Sequence, residues 1–498
     1  MIGWLRRQRG ARRDLLAGGL GALAAGALPP VHALPLLLIS LPGLLLLLDE
    51  AGQWRSAARI GFAFGFGHHL VGLYWITAAI LVEASKFWWL VPLAVPALAA
   101  VVACFIALPC ALAIRVPAGG RRVLVLAGGW VLADILRQFF ATGFPWNPLG
   151  SVWAVPDRFG SIMLQPAALV GVHGLTLMTL LLAMTPWLGR RAMLAGAIGL
   201  AAWAGFGVWR LDQPAPPATG LSVVLVQGNV PQGEHWTRDF ALTVFRRYLG
   251  LTRSGVGGLG NHASIVVWPE TAFYPFLLEQ DAGARAAIYA ASAGPALIGG
   301  VRFNRAGRPL NSLMAIDGPG PVRASYDKAH LVPFGEYSPS WLPLMLGIGP
   351  GFAAGGGAQT LHIPGVPPVG PLICYEAIFP AQIVDAADRP DWLVNVTNDA
   401  WFGDSSGPRQ HLAAARLRAV EEGLPLMRAA NTGISAGYDA FGRELGRLDM
   451  NLAGTLVLAL PGRLPPTWFA RTGLWTPALL ALVMFGVGFG RRRAGNNF

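Results

Sequence analysis

Gly370-Pro-Leu-Ile-Cys-Tyr-Glu376 is the stretch around which the chain is organised. Val369 to Ile373 is a short apolar run leading into a cysteine, as a buried strand would be. Cys374 then stands at the strand's end, where the backbone turns out of the sheet. A thiol there suits a nucleophile, because the strand fixes it and the following turn offers backbone N–H groups to an oxyanion. Glu376 adds a carboxylate two residues on. A buried cysteine is also an ordinary core residue, so the reading depends on what the rest of the chain sets beside it.

Working outward, residues 213–465 read as one domain. Gln213-Pro-Ala-Pro-Pro217 marks its entrance and Pro461 to Pro466 its exit. Short apolar runs predict strands over 221–226, 264–268, 296–301, 312–316, 322–326, 371–374, 392–397 and 426–430. Gly318-Pro-Gly-Pro321 reads as a hairpin turn between two of them. Helical patterns fall near 239–252, 281–293, 380–387 and 409–422. Strands mixed with helices over this length give an α/β or layered α+β domain with one core.

The flanks are of a different kind. Of the 498 residues 54% are hydrophobic and only 13% charged, with a mean hydropathy of +0.48. Soluble chains carry about 25% charged residues, so this is a membrane protein by composition. About 20 apolar residues span a bilayer as helix. Spans are predicted near 15–30, 33–48, 59–82, 87–114, 123–140, 161–188, 192–210 and 468–490. That divides the chain into a transmembrane domain over 1–212, the α/β domain over 213–465, and a last span with a basic tail over 466–498. A cleaved signal peptide ending near Ala33 is the other reading of the first span, but further apolar spans follow at once. Arg55 and Arg59, Arg115, Arg121 and Arg122, Arg190 and Arg191, and Arg491 to Arg493 fall in alternate connections. By the positive-inside rule both termini are cytoplasmic, and 213–465 lies on the other, periplasmic side. The net charge of +12 follows from these topology signals rather than from a nucleic-acid surface.

Three strand ends of the α/β domain carry groups whose chemistry fits together. Trp268-Pro-Glu270 ends one strand; Tyr326-Asp-Lys328-Ala-His-Leu-Val-Pro-Phe-Gly-Glu336 follows another; Cys374 ends a third. Singly, Glu270 is a solvated loop carboxylate, Lys328 a surface partner of Asp327, and Glu336 a helix cap. Together they supply acyl transfer. A thiol near pKa 8.5 must lose its proton to attack, and Glu270 would take it. Lys328 would lower the thiol's pKa and steady the oxyanion, helped by the N–H of Tyr375. Glu336 would hold Lys328 or Glu270 in place.

In the settings WPE, YDKAHLVPFGEY and PLICYE, the order Glu270, Lys328, Cys374 resembles the nitrilase (carbon–nitrogen hydrolase) superfamily. Gln227-Gly-Asn-Val-Pro-Gln232, Asn398-Asp-Ala-Trp-Phe-Gly-Asp404, Thr142-Gly-Phe-Pro-Trp-Asn147 and the membrane spans narrow the likeness to its membrane-bound branch, the bacterial apolipoprotein N-acyltransferases. The resemblance implies an αββα sandwich and a Glu-Lys-Cys triad without cofactor or metal. It implies transfer of an acyl chain from a phospholipid, through a cysteine thioester, to the α-amino group of a diacylglyceryl cysteine in an apolipoprotein. The enzyme would be an inner-membrane monomer with ping-pong kinetics. Taking one CH₂ of an acyl chain into water costs about 0.8 kcal/mol, so the site must come to the lipid. A cleft open toward the bilayer is expected, lined by 341–346 and by a mobile lid over 347–357. Trp236, Asn398, Trp401 and Phe402 are the candidate substrate contacts, and Glu376 joins Glu336 and Tyr375 as support.

Two other activities fit parts of the pattern. A membrane-anchored amidase would keep the triad and hand the acyl group to water, though one span would anchor it. A transporter with an accessory domain would show repeated halves and polar midplane positions, and the sequence has neither. His68 and His69 lack further ligands at metal spacing, and His330, His362 and His411 form no spaced cluster. Asp134 and Arg137, three apart on one helix, are expected to pair.

Overall fold

The computed structural model describes residues 8–82, 84–231, 236–260, 262–339 and 351–490. The chain forms two compact units. One comprises Met1–Thr77, Trp89–Asp212 and Arg471–Phe498, and the other Ala78–Trp88 and Gln213–Ala470.

The first unit is helical. It contains α1 (Gly10–Ala25), α2 (Leu37–Asp49), α3 (Trp54–Gly72), α4 (Val91–Ala113), α5 (Gly120–Phe139), α6 (Ala167–Leu188), α7 (Arg190–Leu211) and a last helix, Trp475–Phe489. Among the described residues three helices have both the length and the apolar character to cross a membrane: Ala84–Ala113, which includes α4, then α6 and α7. Leu34–Asp49 and Trp475–Phe489 are apolar but shorter. The expected number was eight. Two of the predicted runs are interrupted. The third predicted span stops at Gly72, and a separate short helix, Ile76–Leu81, follows. The sixth is split into Arg158–Leu164 and α6, and α6 itself kinks at Gly171 with φ 62°.

Within this unit α1 and α3 cross at backbone contact. A Cβ on Gly21 would lie 1.8 Å from the Phe64 carbonyl oxygen, and one on Gly67 would lie 2.0 Å from that of Gly18. Small residues permit this approach, and larger ones would force the helices apart. Between α3 and α5 sits a buried polar group. Asp134 Oδ1 and Arg137 Nη2 form the expected i,i+3 pair at 3.2 Å, and Arg137 Nη1 is 3.5 Å from His69 Nε2. The imidazoles of His68 and His69 stand edge to face at 5.0 Å. Arg137 thus has nearby partners in both helices, which a charge away from water requires.

The second unit is a sandwich of two six-stranded sheets. The first holds β1 (Ser222–Gln227), β2 (Ser264–Val267), β3 (Ala296–Phe303), β4 (Pro309–Ile316), β5 (Ala324–Asp327) and β12 (Gly454–Ala459), in the order β12-β1-β2-β3-β4-β5. The second holds β6 (Leu361–Ile363), β7 (Val366–Ile373), β8 (Trp392–Thr397), β9 (Leu426–Ala430), β10 (Ser435–Tyr438) and β11 (Glu444–Leu448), in the order β11-β10-β9-β8-β7-β6. Strands β1, β2 and β3 are parallel, as are β7, β8 and β9. The outer pairings are antiparallel.

Alternation along the strands builds the layers. Val223, Leu225, Ile265, Val267, Leu297 and Leu313 face Val369, Ile373, Trp392, Val394, Val396 and Met427 in the core between the sheets. Their neighbours Val224, Val226, Val266, Trp268, Ile298 and Met314 pack under α8 (Arg238–Gly257) and α9 (Ala282–Ser292). Leu372, Leu393, Leu426 and Tyr438 pack under α10 (Ser406–Glu422). Both faces of the central strands are therefore buried, which is why these strands read as unbroken apolar runs. The result is the αββα sandwich expected. Two details differ. Residues 380–387 are turns, not helix: Ala381 has φ 60°, and the Asp385 carboxylate accepts the Ala387 N–H at 2.9 Å. Strands β6, β10, β11 and β12 were not expected.

Candidate active site

Strand ends from both sheets converge on Cys374. It follows β7 directly and opens a short 3-10 turn, Cys374–Ile378, with its own backbone left-handed at φ 51°. A non-glycine residue in that region costs about 1–3 kcal/mol and persists only where its surroundings hold it. The side chain is buried, with 7% exposure. Burial pushes the thiol pKa up and Glu270 pushes it further, against the lowering charge of Lys328. Lys328 thus acts in the expected direction, but the net shift is upward. The reason is desolvation, which the sequence does not display. The resting group is the thiol.

Lys328 leaves the end of β5 and is 1% exposed. Its Nζ donates to Glu270 Oε1 at 3.1 Å and to Glu336 Oε1 at 2.9 Å. Burial would lower its pKa, but Glu270, Glu336 and the Cys374 sulfur outweigh that and hold it well above the usual lysine value. The surface pairing with Asp327 does not occur: Asp327 accepts Arg302 Nε at 2.7 Å and Nη2 at 2.6 Å. Asn311, the polar residue of β4, donates its Nδ2 to Glu270 Oε1 at 2.7 Å and to Glu336 Oε1 at 3.0 Å. Glu336 Oε2 accepts the Val332 N–H at 2.8 Å. Glu270 Oε2 accepts the backbone N–H of Asn398 at 2.8 Å. Three donors thus aim at Glu270, so both its oxygens serve as acceptors.

Glu376 ties the two sheets together. Its Oε1 accepts Tyr326 Oη at 2.6 Å, Ala329 N–H at 2.7 Å and His330 N–H at 3.2 Å. Its Oε2 accepts the Ile373 N–H at 2.7 Å. One carboxylate so fixes the segment after Lys328 against the segment before Cys374. Glu376→Gln puts an NH₂ where only acceptors fit. An unmade buried hydrogen bond costs about 1–3 kcal/mol, so the variant's melting temperature in detergent is expected to fall, together with its rate of acyl transfer. An unchanged melting temperature would show that these bonds carry no load.

The other predicted residues are placed as follows. The Asn398 side-chain oxygen accepts the Ala400 N–H at 3.3 Å and Asn431 Nδ2 at 3.1 Å. Trp401 and Phe402 are half-buried in the turn Asp399–Phe402, with Phe402 edge-on to His411 at 6.1 Å. The Tyr375 ring packs edge-on against Phe379 at 5.2 Å. Trp236 belongs to a separate aromatic group, edge-on to Phe240 at 5.2 Å and to Tyr274 at 5.3 Å. The structure therefore brings together Glu270, Lys328, Glu336, Cys374, Glu376 and Asn398. The apolar loop 341–346 lies outside the described residues. The lid candidate 347–357 is described from Gly351 on. There Phe352 N–H donates to the Glu336 carbonyl at 2.7 Å and Gly355 N–H to the Lys328 carbonyl at 2.8 Å.

Sequence reasoning missed a second network behind the sulfur. His411 Nε2 meets the Cys374 carbonyl oxygen at 2.8 Å, and His411 Nδ1 lies 3.0 Å from Asp399 Oδ1 and 3.2 Å from Arg428 Nη2. Arg428 Nη2 donates to Asp399 Oδ2 at 2.6 Å, and Thr397 Oγ1 to Asp399 Oδ1 at 2.9 Å. A signal existed: Arg428 is a charge in the middle of an apolar strand. Ligand atoms of Cys374, Asp399 and His411 all lie within 4.8 Å of one another. They do not suit a cation, because both imidazole nitrogens and both Asp399 oxygens already have partners and a guanidinium stands among them.

Known proteins match both halves. Residues 20–185 match the apolipoprotein N-acyltransferase N-terminal domain, and residues 252–463 the carbon-nitrogen hydrolase domain. The apolipoprotein N-acyltransferase of Rhodopseudomonas palustris is 39% identical over 527 residues, covering 98% of this chain and 97% of that protein. That of Sinorhizobium medicae is 40% identical over 489 residues, covering 92% and 91%. Among solved structures, an amidase from Nesterenkonia sp. is similar over 50% of this chain and 92% of its own, at 19% identity and a TM-score of 0.36. Likeness to the two acyltransferases runs through the helical unit and the sandwich alike, and by it the chain belongs to the apolipoprotein N-acyltransferase family.

Proposed function

We propose that the chain moves an acyl group from a membrane phospholipid to the α-amino group of the diacylglyceryl cysteine that begins an apolipoprotein, by way of a thioester on Cys374. The observation that carries this reading is Lys328, buried between Glu270 and Glu336 beside the Cys374 thiol. A carboxylate, an ammonium group and a thiol in one dry site are the parts that acyl transfer needs.

The thiol rests protonated, so Glu270 takes its proton as the sulfur attacks the ester carbonyl. Lys328 and the N–H of Tyr375 stabilise the oxyanion. The intermediate collapses with cleavage of the ester C–O bond. Glu270 returns the proton to the glycerol oxygen, and the lysophospholipid leaves. The amine then attacks the thioester, Glu270 takes the amine's proton, and the C–S bond breaks. That proton restores the thiol. Glu336 and Asn311 hold Lys328 and Glu270 in register. Trp236, Trp401 and Phe402 are the substrate contacts of this reading.

The same proposal sets the enzyme in a bacterial inner membrane as a monomer, with both termini cytoplasmic and the sandwich periplasmic. The arginines of alternate connections support that orientation. Both substrates keep their acyl chains in the bilayer, so an enzyme built on apolar helices meets them there.

The test is the intact mass of the protein after mixing with phospholipid alone. A gain of one acyl group is expected, located at Cys374 by digestion and removed by hydroxylamine. Addition of a diacylglyceryl peptide then discharges it to N-acylated product. Release of free fatty acid with no peptide product would make the chain a hydrolase instead.

A further inference from the structure

We infer that His411 is a positioning residue for the nucleophile, held between Asp399 and Arg428 so that it clamps the carbonyl of Cys374. The inference rests on the reading of Cys374 as the acylated group.

The partners of the ring fix the proton on Nε2. A carbonyl oxygen only accepts, so His411 Nε2 carries the proton and donates to Cys374 O at 2.8 Å. His411 Nδ1 stands between Asp399 Oδ1 at 3.0 Å and Arg428 Nη2 at 3.2 Å, so it finds a partner with or without a proton. The same Nη2 donates to Asp399 Oδ2 at 2.6 Å. Asp399 Oδ1 is served by the Thr397 hydroxyl at 2.9 Å. Asn395 Oδ1 accepts Arg428 Nη1, and the Ile434 carbonyl accepts Arg428 Nε at 3.3 Å. Arg428, Asp399 and His411 are all buried, with exposures of 0%, 1% and 0%. A satisfied buried network of this kind is rigid.

What it makes rigid is the peptide after the sulfur-bearing residue. Cys374 is held left-handed at φ 51°, a conformation an unconstrained cysteine leaves readily. Its carbonyl is gripped by α10, and the N–H that precedes it in the chain, that of Ile373, is gripped by Glu376 at 2.7 Å. The two grips on either side of Cys374 set the direction of the sulfur. His411 is not the base. Both its nitrogens are engaged, one of them by the carbonyl of the residue it would have to deprotonate.

The experiment compares His411→Gln with His411→Asn in the full-length enzyme. The amide nitrogen of Gln reaches the position of Nε2 and can still donate to the carbonyl. That of Asn reaches only Nδ1. Single-turnover thioester formation from phospholipid is expected to fall about 100-fold or more in His411→Asn and to recover to within about 5-fold of the parent in His411→Gln. The KM for phospholipid should stay within 2-fold in both, and the pH dependence of alkylation of Cys374 should keep its midpoint, since geometry and not acidity is altered. Equal rates in the parent and both variants would overturn the inference, as would equal losses in both, or a moved midpoint. If His411→Asn does not fold, Thr397→Val and Arg428→Gln serve in its place. Arg428→Gln, which takes away one of the two groups that hold the ring, should slow acylation, with the KM for phospholipid unchanged in it and in Thr397→Val; an unslowed Arg428→Gln overturns the clamp. Absence of any acyl adduct on Cys374 in the parent is a different failure, that of the thioester reading itself.

Discussion

Cys374→Ala is expected to abolish acyl transfer and to leave the fold standing. Loss of a nucleophile that works as one of a coupled set costs about 10⁴-fold or more in turnover. Here no neighbour can replace it: Thr397, the nearest hydroxyl in the network, donates to Asp399. The fold should survive because the change is small. The thiol makes no ion pair, Ala adopts the same left-handed backbone at similar strain, and the turn is gripped through backbone atoms by Glu376 and His411. A loss of about 1 kcal/mol in stability is the expected ceiling for removing one small group. Two measurements decide the matter together: N-acylation of a diacylglyceryl peptide, and the melting temperature in detergent. Full activity in Cys374→Ala would remove Cys374 from the chemistry, whatever the rest of the site looks like.

Lys328→Ala has the second-largest expected effect, and it acts on stability as well as rate. The ammonium group is the only cation paired with Glu270 and Glu336 among the described residues. Without it two carboxylates share one buried space, joined through Asn311. Removing one partner of a buried ion pair costs about 3–5 kcal/mol, and one of the two acids is expected to take up a proton in compensation. Rate suffers separately. Removal of one oxyanion-stabilising group costs about 10²–10³-fold. Removal of the cation also lifts the Cys374 pKa beyond its already raised value, since Lys328 is the charge that, with a hydrogen bond to Thr397, lowers it. The alkylation rate of Cys374 should therefore begin its rise at higher pH in Lys328→Ala than in the parent. A rise at the same pH would mean that the two side chains are not coupled. Lys328→Arg keeps the charge but not the point geometry, and is expected to recover stability better than rate.

Much of the sandwich was legible because its central strands are apolar on both faces. Runs such as Ser264–Val267 and Trp392–Thr397 have one interpretation when Pro or polar residues end them. Glu270, Lys328 and Cys374 were legible for the same reason, as charge or sulfur at the end of such runs. The edge strands were not. Glu444–Leu448 and Gly454–Ala459 are partly exposed and mix Gly, Arg and Thr with apolar residues, so no run stands out. The false helix at 380–387 shows the limit of composition: Ala, Gln and Ile favour helix, but the Asp385 side chain competes for the backbone there. Helices α3 and α5 carry few polar residues, and their His, Asp and Arg meet each other inside the unit. His411 was invisible for another reason. Its partners lie 37 residues before it, at Cys374, and 17 after it, at Arg428, and only the folded chain makes them neighbours.

Glu376 binds a loop of one sheet to a strand of the other, and Glu270 does the same through Asn398. The reacting groups therefore belong to different halves of the sandwich, joined across the apolar seam by these hydrogen bonds. Slippage along that seam, too slight to expose any side chain to water, would part the acid from the sulfur. In this protein, then, turnover serves as a gauge of how well two layers stay aligned, and residues such as Val267 and Val394, remote from any substrate, help to set its reading.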